Sequence, residues 1–234
     1  DLALSGSIAA GPGNVTITES HTGGISFGAD TALGMDITGA ELALITTTGT
    51  AEFVTAGTVN VNNITAANSD NITTVLIDAV GVVDFKTTAS TFNVLTVESD
   101  NGVDINIAMT TDTGALTIDA DDENGDTAGD DRLDLAAGIT LTSASSITLD
   151  ATTGKIVFAG AGTLNAAAGV TINDNLTSNS GTLTINADTA ADGTGDLTIA
   201  AAAAVTATNQ VINITANDLA LSGSIAAGPG NVTI

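Results

Sequence analysis

The residues best equipped for chemistry lie in one acidic stretch, DADDENGDTAGDDRLD at positions 119–134. Carboxylate oxygens gathered in a loop are the ligands that Ca²⁺ prefers. The spacing is not that of an EF-hand, because placing Gly125 at the sixth loop position puts Ala120 at the first. A calcium loop is therefore one interpretation, and a solvated acidic loop is the simpler one. The candidate metal ligands are Asp119, Asp121, Asp122, Asp126, Asp130 and Asp131.

A thinner acidic segment, NADTAADGTGD, occupies positions 186–196 and carries Asp188, Asp192 and Asp196. Both acidic segments directly follow a Leu-Thr-Ile tripeptide. We therefore expect both to be insertions at one corner of the same repeating fold.

Residues for catalysis are scarce. The chain has one histidine, His21, no cysteine, and three basic residues, Lys86, Arg132 and Lys155. A lone histidine supports neither a zinc site nor a Ser-His-Asp arrangement. Arg132 lies inside the acidic stretch, where a local counter-charge is its simplest role. We predict that the chain is not an enzyme and has no cofactor other than a candidate calcium ion. A β-helical polysaccharide-degrading enzyme is the catalytic alternative.

The charge balance restricts the partners. The 234 residues include 27 acidic and 3 basic side chains, which gives a net charge of −24 at pH 7. Neutralising phosphate groups requires lysine and arginine, so we predict no nucleic-acid partner and no binding to anionic membranes. No apolar run reaches the ~18 residues of a membrane-spanning helix, so direct membrane insertion is not expected.

The elements that must position these residues are short strands. An aliphatic-Thr-aliphatic tripeptide recurs along the chain, for example at 95–97, 116–118, 147–149 and 183–185. This alternation places both aliphatic side chains on one face of a strand and threonine on the other. The inward residues are expected to include Val15, Ile17, Leu116, Ile118, Ile139, Leu141, Leu183 and Ile185. The outward threonines are expected to form ladders that stabilise the strands.

The spacing of the tripeptides indicates how the strands are arranged. Leu95 to Leu116, Leu116 to Ile139 and Ile147 to Val170 each span between 21 and 23 residues. About three short strands fit in each interval, as a parallel β-helix requires. We therefore predict an all-β, right-handed parallel β-helix, or β-solenoid, of about ten coils per repeat unit. A string of immunoglobulin-like sandwiches is the alternative, but the chain has only five Phe and no Trp or Tyr for sandwich cores.

The chain also contains a long internal repeat. The sequence DLALSGSIAAGPGNVTI occupies residues 1–17 and returns unchanged at residues 218–234. Such identity indicates copied sequence, so we interpret residues 1–217 as one complete tandem-repeat unit. Residues 218–234 are then the start of the next repeat, continuous with the solenoid and forming the same coil or coils as residues 1–17. The chain is expected to be a window of a longer array.

Two stretches, GTLTINADTAADGTGDLTIA (181–200) and AAGITLTSASSITLDATTG (136–154), resemble the β-strand repeats of filamentous-haemagglutinin-like secreted proteins. The resemblance rests on strand rhythm over most of the chain, and no functional residue is transferred from it. It implies a long right-handed β-helix outside a bacterial cell or on its surface.

These observations favour a non-enzymatic structural repeat of a long extracellular bacterial fibre, filament or sheath. The alternative is the stalk repeat of a giant adhesin whose binding tip lies elsewhere, because this chain lacks the aromatic residues of a recognition surface. Both interpretations predict neighbouring copies of the same repeat as the partners, end to end and also side by side in a fibre.

Overall fold

The computed structural model describes residues 1–29, 33–123 and 131–234. These ranges form short strands and two single-turn helices, α1 (Gly39–Leu42) and α2 (Ala66–Ser69). The first strands are β1 (Ile8–Gly11), β2 (Val15–Thr18), β3 (Ile25–Gly28), β4 (Met35–Ile37), β5 (Ile45–Thr55), β6 (Val59–Asn62), β7 (Ile72–Ala79), β8 (Val83–Phe85) and β9 (Ser90–Phe92). Next come β10 (Val94–Ser99), β11 (Val103–Ile105), β12 (Met109–Thr111), β13 (Leu116–Asp119), β14 (Leu133–Leu135), β15 (Ile139–Ser143), β16 (Ile147–Asp150), β17 (Ile156–Phe158) and β18 (Gly162–Ala166). The last are β19 (Val170–Ile172), β20 (Leu176–Ser178), β21 (Leu183–Asn186), β22 (Leu197–Ile199), β23 (Ala204–Ala207), β24 (Ile212–Thr215), β25 (Leu219–Leu221), β26 (Ser224–Ala226) and β27 (Val232–Thr233).

The strands form three parallel sheets. Sheet A runs β1-β5-β7-β10-β13-β16-β19-β22-β25, with β2 also on β5; sheet B runs β26-β23-β20-β17-β14-β11-β8-β6-β3-β4; sheet C runs β27-β24-β21-β18-β15-β12-β9. From β7 onward the chain visits A, B and C in turn, and each strand pairs in parallel with the strand three places later. This architecture is compatible with a β-helix and confirms the all-β, parallel part of the prediction. The sandwich alternative requires antiparallel sheets and does not hold.

The core lies between the three sheets and consists of rows of stacked aliphatic side chains. In sheet A one inward row contains Leu95, Leu116, Ile147, Val170, Leu197 and Leu219. All the residues predicted to face inward are buried except Ile17, which is half-buried. The period-two pattern therefore identified the buried face of the strands.

The predicted spacing was wrong at one interval. Leu116 stacks on Ile147, not on Ile139, because Ile139 lies in sheet C opposite Gly162. The acidic stretch lengthens this coil, so a 23-residue interval joins two different sheets there. The intervals from Leu95 to Leu116 and from Ile147 to Val170 do join stacked positions.

Outward positions form rows of their own. Thr96, Thr117, Thr148, Thr171 and Thr198 stack on five successive strands of sheet A. Thr140, Thr163 and Thr184 form a similar row on sheet C. Neighbouring threonines support each other across strands, as the sequence predicted.

The identical 17-residue segments take different positions. In the first copy Ile8 and Val15 both lie in sheet A and pair with β5. In the second copy the equivalent residues, Ile225 and Val232, lie in sheets B and C and pair with β23 and β24. The expectation that both copies form the same coil is therefore wrong. Each copy pairs with the strands adjacent to it, and those neighbours differ.

The two helices were not predicted. Thr38 caps α1: its Oγ1 accepts from the Glu41 N–H at 3.2 Å, and Glu41 Oε2 accepts from the Thr38 N–H at 2.9 Å. Such a capping box satisfies two backbone donors at the start of a helix. A Cβ on Gly39 would lie 2.7 Å from Asn68 Oδ1, so glycine allows α1 to approach α2.

Substituting Gly162 tests the fit of the core. A Cβ at this position would lie 2.2 Å from Cδ1 of the fully buried Phe158. We expect Gly162→Ala to lower the free energy of unfolding by about 1–3 kcal/mol through overpacking, measured by urea denaturation. The cost should shrink in a Phe158→Leu background, because the two side chains compete for one space. Gly6→Ala is the control, since nothing lies within 4 Å of its added Cβ. An equal cost in both backgrounds would contradict this account of the core.

Candidate functional site

The described parts of the acidic stretch, residues 119–123 and 131–134, lie at the end of β13 of sheet A and around the start of β14 of sheet B. They mark the corner between these two sheets. The thinner segment at 186–196 follows β21 of sheet C and leads to β22 of sheet A. The two acidic segments therefore occupy different corners, and the expectation of a shared corner was wrong.

Two of the predicted metal ligands meet at this corner. Asp121 is completely buried and Asp131 is 3% exposed. Thr153, on the equivalent corner of the next coil, joins them: its hydroxyl lies 2.7 Å from Asp121 Oδ2 and 3.4 Å from Asp131 Oδ2. The Thr153 N–H also donates to Asp121 Oδ2 at 2.6 Å.

The remaining predicted ligands are placed elsewhere or not described. Asp119 is the last residue of β13 and its Oδ1 accepts from the Asp121 N–H at 3.1 Å. Asp122 is exposed. Asp126 and Asp130 lie outside the described residues. Within the described ranges, no group of three or more His, Cys, Asp or Glu side chains is arranged to hold a metal ion.

Asp121 and Asp131 are incompletely hydrogen-bonded. Their Oδ1 atoms are buried and have no hydrogen-bond partner among the residues that the structure describes. A hydroxyl carries one proton, so Thr153 Oγ1 satisfies only one of its two carboxylate neighbours at a time. Buried polar atoms are normally paired, and among the described residues the other buried side-chain atoms without a partner are Asp36 Oδ1 and Arg132 Nε.

A row of carboxylates runs along the outer face of sheet A. Asp78, Glu98, Asp119 and Asp150 occupy the same register on four stacked strands. Partial burial, and then the like charges around each group, raise the pKa of Asp78 and of Glu98. Burial also raises the pKa of Asp119, partly offset by its bond from the Asp121 N–H.

Asp174 follows β19, the next strand of sheet A, and lies beside Asp150. Burial is the main cause that raises its pKa to about 6, followed by a hydrogen bond with the Asp150 carboxylate. The Ala151 N–H donates to Asp174 Oδ2 at 3.2 Å and partly opposes the shift. Asp174 therefore keeps its proton up to about pH 6 and can donate it to the Asp150 carboxylate, because two adjacent carboxylates repel when both are ionised.

A second acidic row lies on sheet B with two of the three basic residues. Asp84, Asp104 and Asp134 are stacked on successive strands. Lys86 Nζ lies 3.5 Å from Asp84 Oδ2, and Arg132 Nη2 lies 2.6 Å from Asp134 Oδ1. The predicted counter-charge role of Arg132 is consistent with this contact. Asp104, Arg132 and Asp134 line a groove of about 370 Å³.

The other singled-out residues do not join these clusters. His21 is exposed, and its Nδ1 lies 3.1 Å from the hydroxyl of Ser20. Lys155 is exposed just before β17, where its carbonyl accepts from the Leu133 N–H at 3.0 Å.

The carboxylate row on sheet A was missed, although the sequence carries its signal. An acidic residue follows the aliphatic-Thr-aliphatic tripeptide in LTVE (95–98), LTID (116–119) and ITLD (147–150). Once these tripeptides are stacked in parallel, the acidic residues must fall in one row. No sequence pattern indicated that Asp121 and Asp131 would be buried beside Thr153, because only the stacking of two coils brings Thr153 to Asp121.

Comparisons with known proteins give no relative: no family model, curated protein or solved structure matches this chain. In the described part of the chain, no helix combines the length and apolar character needed to cross a membrane.

The Asp150–Asp174 pair makes stability depend on pH. Because the pKa of Asp174 is raised from 3.8 to about 6, folding disfavours its charged form. The stabilisation is complete below pH ~4 and is lost as the pH rises through about 6. We expect Asp174→Asn, whose amide can still accept from Ala151 and donate to Asp150, to raise the free energy of unfolding at pH 7. The gain should be about 1 kcal/mol, discounted because the side chain is half-exposed.

Urea denaturation between pH 4 and pH 8 measures this effect. The gain of Asp174→Asn should vanish near pH 4, where the native carboxyl is already protonated. Asp112→Asn, at an exposed position outside the row, should give no comparable gain. A gain of Asp174→Asn that is the same at pH 4 and pH 8 would contradict the raised pKa of Asp174.

Proposed function

We propose that this chain is a non-catalytic structural repeat of a long extracellular bacterial fibre, and that its partner is a neighbouring copy of the same repeat. The observation that carries the proposal is the apolar surface on the last coil, β25 to β27. Among the described residues, four large apolar side chains are strongly exposed: Val80 at 46%, Leu221 at 46%, Val232 at 41% and Ile234 at 76%. Three of the four belong to this coil or follow it directly.

Two of these residues occupy rows that are buried elsewhere. Leu221 continues the row of Leu149, Ile172 and Ile199, and these three are fully buried. Val232 continues the row of Leu183 and Ile212, which are also fully buried. Leu221 and Val232 therefore lie on the inward-facing rows of their strands and do not point outward. A coil stacked on β25 to β27 would bury them and pair the open strand edge.

The identical 17-residue segments support the same partner. A tandem array supplies a following copy within one chain, and a second chain supplies it by association. The two 17-residue segments pair with different strands in this structure. In either case, the incoming copy must pair with the open edge of β25 to β27.

We take the solenoid to be right-handed, as parallel crossovers are. With about ten coils per unit at ~4.8 Å each, one unit would add roughly 50 Å of length.

The chemistry of the surface fits a rod outside a cell. A net charge of −24 keeps long arrays soluble and extended. Lys86 and Arg132, two of the three positions open to trypsin-like proteases, are in ion pairs with neighbouring aspartates. The same properties suit an adhesin stalk, which is a second use of the same rod.

The groove on sheet B favours a second candidate function. It gathers Asp104, Asp134 and Arg132, and clustered carboxylates beside a basic residue are what a β-helical polysaccharide-degrading enzyme needs. Arg132 is already paired with Asp134 at 2.6 Å, so we rank this function below the structural one. Turnover of an acidic polysaccharide that is lost in Asp104→Asn would establish the enzyme and contradict the structural proposal.

Self-association tests the structural proposal. We expect the 234-residue chain to form end-to-end oligomers as its concentration rises, measured by sedimentation velocity. The double variant Leu221→Asn/Val232→Asn should shift the chain toward monomer, because it makes the contact surface polar without changing the net charge. Val80→Asn should not, since Val80 is equally exposed but follows β7, away from the last coil.

A chain with two consecutive copies of residues 1–217 provides the second measurement. Its urea midpoint should exceed that of a single copy, because the internal junction covers one open edge. A monomeric single copy together with an unchanged midpoint in the two-copy chain would contradict the proposal.

A further inference from the structure

We propose that Asp121 and Asp131, joined by Thr153, form a binding site for one calcium ion at the corner between sheets A and B. The site uses only described residues, and it does not depend on the function proposed above. Its three members come from two adjacent coils. Asp121 follows β13, Asp131 precedes β14, and Thr153 lies between β16 and β17, which stack on those strands.

The first argument is the state of the two carboxylates. Asp121 is fully buried and Asp131 is 3% exposed, yet the Oδ1 atom of each has no hydrogen-bond partner among the described residues. Both Oδ2 atoms face the single Thr153 hydroxyl, at 2.7 Å and 3.4 Å. Buried carboxylates are costly unless they are paired or coordinate a metal ion. Oxygen atoms in this state are suitable ligands for a hard cation.

The second argument is the charge around the pair. The ion pairs that the structure describes join Lys86 to Asp84 and Arg132 to Asp134, on sheet B. Additional acidic side chains surround the corner. Burial is the main cause that raises the pKa of Asp100, and the charges of Glu123, Asp122 and Asp121 raise it further. This concentration of negative charge attracts a cation and disfavours an anion.

The third argument is that the backbone fixes the site. A Cβ on Gly154 would lie 1.5 Å from the carbonyl oxygen of Asp131, so only glycine allows this approach. The Asp122 N–H donates to the Ser99 carbonyl at 3.1 Å, which ties the acidic corner to the preceding coil. Ca²⁺ takes six to eight oxygen ligands in flexible geometry, and water and carbonyl groups commonly complete the set. Calcium therefore suits this corner better than Mg²⁺, which requires near-ideal octahedral geometry.

Thermal unfolding of the full 234-residue chain tests the proposal. We expect saturating CaCl₂ to raise Tm by about 5–10 °C over the same protein in chelator, as a ligand at 100 times its Kd does for a chain of this size. Asp121→Asn and Asp131→Asn should each remove most of the calcium-dependent shift. Asp192→Asn is the matched control, because its amide oxygen can still accept from Thr194 and its exposed loop lies at another corner.

Two further readouts keep the result decisive. Isothermal titration calorimetry of the unsubstituted chain with CaCl₂ should give one site, and MgCl₂ should bind at least tenfold more weakly. Circular dichroism shows whether the variants keep their β-structure. If a variant unfolds, the calorimetry of the unsubstituted chain decides alone. No calcium-dependent Tm shift, no binding heat, or an equal loss in Asp192→Asn would overturn the site.

Discussion

The fold depends on hydrogen bonding between strands that follow one another by one coil. A strand of three or four residues has little stability alone, and here it is held by parallel partners on the coils before and after it. Parallel pairing in constant register places each residue on its counterpart, so a row of leucine and isoleucine builds the core and a row of threonine covers the surface. The chain therefore needs few large side chains. The five phenylalanines are all buried, and Phe27 and Phe53 meet edge to face at 4.9 Å.

The same register creates the electrostatic problem of this molecule. Stacking like on like also stacks carboxylate on carboxylate, as in the row of Asp78, Glu98, Asp119 and Asp150. Partial exposure to water screens much of the repulsion along this row. At the buried corner of Asp121 and Asp131 water cannot do so, and the calcium ion proposed there would supply the missing positive charge. The degree of burial therefore distinguishes the solvated carboxylate row on sheet A from the corner of Asp121 and Asp131, where we propose a calcium site.

The fold was largely predictable because period-two alternation and a constant interval are local signals. The buried face and the parallel class both follow from them, and the errors occur where the interval changes. Leu116 was wrongly matched with Ile139. A corner insertion can change in length without any change in the strands that it joins, so the strand pattern does not reveal how long the coil is. The candidate site was less predictable. Clustered aspartates in the sequence drew attention to six residues, but only the stacking of two coils brings Thr153 to Asp121 and buries both carboxylates.

The two copies of the 17-residue segment show what fixes position in such a fold. Their patterns of aliphatic and polar residues suit a strand in any sheet, so the pattern alone does not choose between β5 and the edges of β22 to β24. Registers in uniform strands are weakly specified in general. Features that do not repeat supply the missing specificity. Gly154 leaves room for the Asp131 carbonyl of the adjacent coil, and Thr153 contacts both Asp121 and Asp131 of that coil. On this argument the irregular residues of the coil, rather than its regular rows, determine which coil stacks on which.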